Sequence, residues 1–71
     1  MDIEFSLREG DEYIKLGQLL KAADLAESGT AAKELIQSEK VYVNGQVCTM
    51  RGKKIKRGDE VSFGESKVKV Y

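Results

Sequence analysis

The sequence predicts an α+β domain in which two short helices pack on a small, mainly antiparallel sheet. Three observations carry that prediction. Leu16, Leu19, Leu20 and Ala23 recur at the spacing of one helix face, and Ala32, Leu35 and Ile36 repeat the pattern. The second half instead alternates apolar and polar residues, most clearly in Lys67-Val68-Lys69-Val70. Between the two regimes, Val41-Tyr42-Val43 runs into Asn44-Gly45, a strong short hairpin signal. Helices grouped before a run of strands indicate α+β rather than alternating α/β.

The elements follow in order. Ile3, Phe5 and Leu7 alternate with Glu4 and Ser6, which is strand periodicity with a polar outer face. Gly10-Asp11 marks a turn. The first helix is expected from about Leu16 to Ala23, with Asp24 to Ser28 as a connecting turn. A second helix starts at Gly29 or Thr30, where the Thr30 hydroxyl is suited to cap an orphan amide. Lys33 and Gln37, four residues apart, fall on its outer face. Asn44 and Gly45 both tolerate the positive φ that a type I′ turn demands, and Val47 to Thr49 form the return strand. Arg57-Gly58-Asp59 turns into Val61-Ser62-Phe63, and Gly64-Glu65-Ser66 turns into a last strand ending at Tyr71. The expected core is Ile3, Phe5, Leu16, Leu19, Leu20, Ala32, Leu35, Ile36, Val41, Val43, Ile55, Val61, Phe63, Val68 and Val70.

Seventy-one residues are expected to make one domain, residues 1–71, with little chain to spare for an enzyme cleft. A core of that size leaves only about 3–5 kcal/mol of net stability. Twelve basic residues balance twelve acidic ones. The balance is uneven along the chain: residues 1–39 carry nine acids and four bases, residues 40–71 eight bases and three acids. A charge dipole of that kind points toward nucleic acid through the basic half. There is no His and a single cysteine, Cys48, so no internal disulfide and no common zinc or haem arrangement is expected, and no cofactor. No apolar run approaches a membrane span, and the acidic N-terminal stretch does not resemble a signal peptide, so a cytoplasmic protein is expected. No nucleophile has an evident base, and no Gly-rich phosphate loop is present. The chain is therefore not expected to be an enzyme.

The densest chemical signal is Arg51-Gly52-Lys53-Lys54-Ile55-Lys56-Arg57, in which five of seven residues are cationic. Arginine clamps a phosphate with two parallel hydrogen bonds, and lysine acts as a mobile point charge. The plainer reading of these cations is a solvated loop that guards a sheet edge. Lys33 stands on the second helix, whose N-terminus at Gly29-Thr30 presents free amides to an anion. The candidate binding residues are thus Thr30, Lys33, Arg51, Lys53, Lys54 and Arg57, flanked by Lys15 and Lys40. No catalytic or metal-binding residue is assigned.

From Ile14 to Phe63 the order of features resembles the S4 RNA-binding domain. Lys15-Leu16-Gly17 stands where that family opens its first helix. Ala32-Lys33-Glu34-Leu35-Ile36 stands in the second helix. Val41-Tyr42-Val43-Asn44-Gly45 matches its hairpin, and Lys56-Arg57-Gly58-Asp59-Glu60-Val61 its Gly-Asp turn and following strand. The family's first-motif Asp is Gly17 here, and the Arg that often opens its second helix is Gly29. The core motif covers about residues 14–63, with added N- and C-terminal strands, and the N-terminal strand, Gly29-Thr30-Ala31-Ala32-Lys33 and Arg51-Gly52-Lys53-Lys54 are similar to the stand-alone bacterial YaaA/YbcJ-like subgroup. The resemblance implies the S4 fold (the alpha-L motif) and RNA binding by the second helix and basic loop, without catalysis. A structured RNA, rRNA or tRNA-like, is the expected partner, with ribosomal or other proteins as further partners. The competing reading is a protein-interaction adaptor on a ribosomal or replication assembly, which would use the acidic half as its face.

Overall fold

The computed structural model describes residues 2–71. The chain runs β1 (Asp2–Phe5), β2 (Ile14–Lys15), α1 (Leu16–Ala22), α2 (Gly29–Gln37), β3 (Val41–Val43), β4 (Gln46–Val47), β5 (Lys54–Ile55), β6 (Glu60–Phe63) and β7 (Ser66–Val70). Five strands form one sheet in the order β1-β7-β6-β3-β4, and β2 pairs with β5 in a separate two-stranded ribbon. The pairings β3–β4, β3–β6, β6–β7 and β2–β5 are antiparallel. Only β1 against β7 is parallel among the described strands. The expected fold class therefore holds: two helices packed on a mainly antiparallel sheet.

Apolar side chains at the helical and strand periods meet in one core. Leu16, Leu19 and Leu20 of α1 and Ala32 and Ile36 of α2 are fully enclosed against Val41, Ile55, Val61 and Val68. Each buried Leu, Ile or Val contributes about 1.5–3 kcal/mol through removal from water. Ile3, Phe5, Leu35 and Phe63, expected in the core, are only partly buried and pack around it. Ile3 and Phe5 lie on β1, an edge strand, where a neighbour covers one side only. Leu7 and Ala26 are buried instead. The Leu7 N–H donates to the Tyr71 carbonyl, which folds the chain after β1 inward. The amides of Leu25 and Ala26 both donate to the Leu20 carbonyl, and Asp24 takes φ 65, so the turn after α1 doubles back under the helix.

Two helix starts are solved differently. Ser28, not Thr30, caps α2: its Oγ accepts from the Ala31 N–H at 3.1 Å. Thr30 falls inside the first turn of the helix. Ser and Thr are both capping residues, and the extended backbone of Ser28 (φ −155, ψ 172) is the geometry a cap needs. Helix α1 has no side-chain cap. Its first amides donate to the basic segment: Leu16 N–H to the Lys53 carbonyl at 2.9 Å and Gly17 N–H to the Arg51 carbonyl at 3.0 Å. Strands β2 and β5, two residues each, are too short to show periodicity, and no pattern in the chain announces them.

The Asn44-Gly45 turn is as expected. Asn44 has φ 51 and Gly45 φ 84, and the register Val43↔Gln46 leaves a two-residue loop. Asn44 does more than turn. Its amide donates to the Glu60 carbonyl, its Oδ1 accepts from the Glu60 N–H at 2.9 Å, and its Nδ2 donates to Asp59 Oδ1 at 3.1 Å. Gly45→Val is expected to lower unfolding stability by about 1–3 kcal/mol, because a β-branched residue resists positive φ. Urea denaturation measures it, and an unchanged midpoint would contradict the turn geometry.

Candidate nucleic-acid interface

Separate segments bring cations to one cleft. Lys15 ends β2, Gln18 and Lys21 stand on α1, Gly29, Thr30 and Lys33 open α2, and Arg51-Gly52 closes the rim. The bonds from Leu16 and Gly17 to the carbonyls of Lys53 and Arg51 hold that rim against α1. The backbone of the loop thus satisfies the helix start, and the Arg51 side chain remains exposed at the cleft. Lys15, Lys21, Lys33 and Arg51 are all exposed, and no carboxylate is among the lining residues. Cations so placed attract a polyanion by summed field, screened over about 8–10 Å by salt.

Lys21 is not among the sequence-based candidates. The signal that could have found it is its spacing, three residues after Gln18 and six after Lys15 on a short helix.

The other candidates are dispersed. Lys53, Lys54 and Lys56 line a second cleft beside β4, next to Val47 and Met50. The Lys54 Nζ stands 5.0 Å from the centroid of the Tyr13 ring, a cation–π contact. Lys40 follows α2 and lines neither cleft. Arg57 lines neither cleft either. Its Nη1 donates to the Asp11 carbonyl at 2.8 Å and its Nη2 to the Arg8 carbonyl at 3.2 Å, which fastens the 8–11 turn to the sheet. Two of its five N–H donors are thereby engaged within the fold.

Tyr42 is exposed on the outer face of the sheet, opposite Val47 and Ser62. That face also carries Lys67 and Lys69, with Glu60 3.7 Å from the Lys67 Nζ and Glu4 and Glu60 opposite Lys69. Its cations are matched by acids, unlike those of the α1–α2 cleft.

Asp59 lines the second cleft. Its carboxyl pKa is lowered from the ordinary value, first by the hydrogen bond from the Lys56 N–H at 2.8 Å. Desolvation by burial opposes that bond, and the Asn44 side-chain bond and the charges of Lys53 and Lys56 lower the pKa further. Among the described residues, no cluster of three His, Cys, Asp or Glu can hold a metal ion. None of the helices is long and apolar enough to cross a membrane.

A profile of the S4 domain matches residues 5–71. The chain belongs to the S4 domain family. It is also 42% identical over 52 residues, 73% of each chain, to a probable ribosome maturation protein, RlbA, of Bacillus subtilis (strain 168). A Cβ built on Gly17 would lie 3.6 Å from both the Arg51 Cβ and the Arg51 carbonyl oxygen, an ordinary contact. Sterics do not demand glycine here. With Gly17 beside Arg51, this position adds no carboxylate to the cleft.

Asp59 yields a pH prediction. A carboxyl whose folded pKa is depressed adds stability in full above its unfolded pKa and loses it as pH falls through the folded value. Asp59→Asn is expected to flatten the acid limb of the stability curve below about pH 4. Urea midpoints measured from neutral pH down into that limb test it, and limbs of equal slope would remove Asp59 from the account.

Proposed function

We propose that this S4 domain is a small, non-catalytic RNA-binding protein that docks structured RNA through the α1–α2 cleft and its Arg51 rim. The observation that carries the reading is the convergence of Lys15, Lys21, Lys33 and Arg51 on a carboxylate-free cleft in a chain of zero formal net charge. Charge of that kind, concentrated from separate segments, is not explained by solubility alone. Thr30 and the first amides of α2 border the cleft and add the positive end of a helix dipole. Duplex RNA hides its sequence in a deep groove and offers phosphates, 2′-hydroxyls and shape, which a small rigid cationic surface can engage. Membership of the S4 family supports RNA as the ligand, and the relative named as a ribosome maturation protein supports ribosomal RNA. Cytoplasmic location fits that role.

The roles divide by geometry. Lys33 and Arg51 are assigned to phosphates, Lys15 and Lys21 to the flanks of the same track, and Lys53 and Lys54 to its continuation. Arg57 is assigned to holding the 8–11 turn. The adaptor reading would need salt-insensitive binding to a protein through the acidic half, where Asp11 and Glu12 line a separate cleft with Phe5, Leu7 and Tyr13.

Counterion release with three or four phosphate contacts gives a log–log salt slope of about −2 to −4. Lys33→Ala with Arg51→Ala is expected to flatten it by about one to two units, with similar loss across RNA sequences, because phosphate contacts position without reading bases. Lys67→Ala with Lys69→Ala leaves the slope nearly unchanged. Arg57→Ala lowers folding stability by about 0.5–1.5 kcal/mol with the slope retained. Equal losses from the Lys33/Arg51 and Lys67/Lys69 pairs would move the interface elsewhere. Purified protein is also expected to leave RNA and nucleotides chemically unchanged, since no residue set combines nucleophile, base and oxyanion support. Turnover abolished by one point substitution would refute that.

A further inference from the structure

The second cleft differs in chemistry from the first. The α1–α2 cleft is lined by polar and charged side chains and glycine. The cleft beside β4 brings Lys53 and Lys56 together with the exposed apolar side chain of Met50 and the edge of β4 at Val47. A cation cluster alone suits a phosphate. A cation cluster facing an apolar wall suits a phosphate with a base attached.

The strand register adds a third feature. The Cys48 N–H donates to the Val41 carbonyl, so Val41 and Cys48 form a hydrogen-bonded pair of the β3–β4 ladder. Hydrogen-bonded and non-hydrogen-bonded pairs alternate in an antiparallel ladder. Tyr42↔Val47 is therefore the non-hydrogen-bonded pair, and the main-chain N–H and C=O of Val47 point outward from β3. Strand β4 is the last strand of the sheet, so those groups face its open edge, on the side of the cleft. A donor and an acceptor held in fixed geometry beside an apolar surface match the edge of a nucleobase.

Asp59 also lines this cleft, and its charge is partly engaged. One oxygen accepts from the Lys56 N–H and the other from Asn44 Nδ2. The two clefts are contiguous along the chain. Arg51 and Gly52 line the first, and Met50 and Lys53 the second. Two residues of chain span at most about 7 Å, so the rims of the two clefts lie close together.

We propose that the β4–β5 cleft receives one unpaired nucleotide of the RNA, its phosphate at Lys53 and Lys56 and its base against Met50 and the β4 edge at Val47. This rests on the RNA-binding reading of the first cleft and names the class of RNA preferred: a duplex interrupted by a bulge or loop rather than a continuous one. A paired base inside a helix presents neither its face nor its Watson–Crick edge, so a continuous duplex cannot fill this cleft.

The test uses the full chain and two RNA probes: a blunt duplex, and the same duplex with one bulged nucleotide. Fluorescence anisotropy reads both affinities. The bulged probe is expected to bind about fivefold to tenfold more tightly, which is the scale of one modest contact. Val47→Thr with Met50→Ser keeps the strand and the charge and is expected to reduce that preference below about twofold, with blunt-duplex affinity unchanged. Lys33→Ala is expected to weaken both probes equally. Equal binding of the two probes by the wild type, or a preference that survives Val47→Thr with Met50→Ser, overturns the inference and leaves the first cleft standing. Failure to bind either probe in a salt-dependent way overturns both. A thermal midpoint of the double variant equal to wild type is the control that excludes misfolding. Should that control fail, Met50→Ser alone, at an exposed loop position, takes the place of the double variant with the same expected loss of preference.

Discussion

Two backbone hydrogen bonds organise this molecule: Leu16 N–H to the Lys53 carbonyl and Gly17 N–H to the Arg51 carbonyl. A helix start leaves amides without partners, and α1 has no side chain to satisfy them. The basic segment supplies carbonyls instead. In doing so it is held against the helix, and Arg51 is set beside Lys15 and Lys21 while its side chain stays in solvent. One pair of bonds completes a helix and assembles a charged surface. The neighbouring ribbon, Ile14↔Ile55 and Lys15↔Lys54, extends the same contact, and buried Ile55 anchors it in the core.

The Asn-Gly and Gly-Asp motifs, well separated in the chain, belong to one device. Asn44 reaches across to Asp59 and Glu60 with both its side-chain polar atoms, and Asp59 in turn holds the Lys56 amide. The hairpin tip is thereby fastened to the end of the basic segment. Hydrogen bonds to a carboxylate are stronger than neutral ones, and they hold the Asp59 carboxyl below its ordinary pKa. The basic segment is consequently restrained at both ends, by α1 on one side and by the hairpin on the other. A restrained cationic loop loses less entropy on meeting a rigid polyanion than a free one does.

The cations of this chain are not interchangeable. Arg57, in the densest basic run, is taken by the carbonyls of Arg8 and Asp11. Lys67 and Lys69 stand opposite acids on the outer sheet face. Lys15, Lys21, Lys33 and Arg51 converge without a carboxylate. Net charge near zero is thus compatible with a cationic site, because the acids stand beside other cations and not in this cleft.

The sequence by itself determined the fold class, the two helices, the hairpin turn and most of the core. Those features rest on local periodicity and on turn stereochemistry, both written within a few neighbouring residues: Leu16, Leu19 and Leu20 for the helix face, Asn44 and Gly45 for positive φ. Lys15, Lys33 and Arg51 were legible as candidates because cations and a helix start mark themselves by type and position. What the tertiary structure alone decided is which of the cations meet. Lys21 lines the cleft from α1, Arg57 is drawn to the carbonyls of Arg8 and Asp11, and Arg51 is brought in by a segment whose strand β5 pairs with β2 across more than half of the chain. The parallel contact of β1 with β7, the burial of Leu7 and Ala26, and the choice of Ser28 over Thr30 as the cap were settled in the same way. Each depends on a partner distant in sequence or on one residue's backbone dihedral, and neither leaves a periodic trace in the chain.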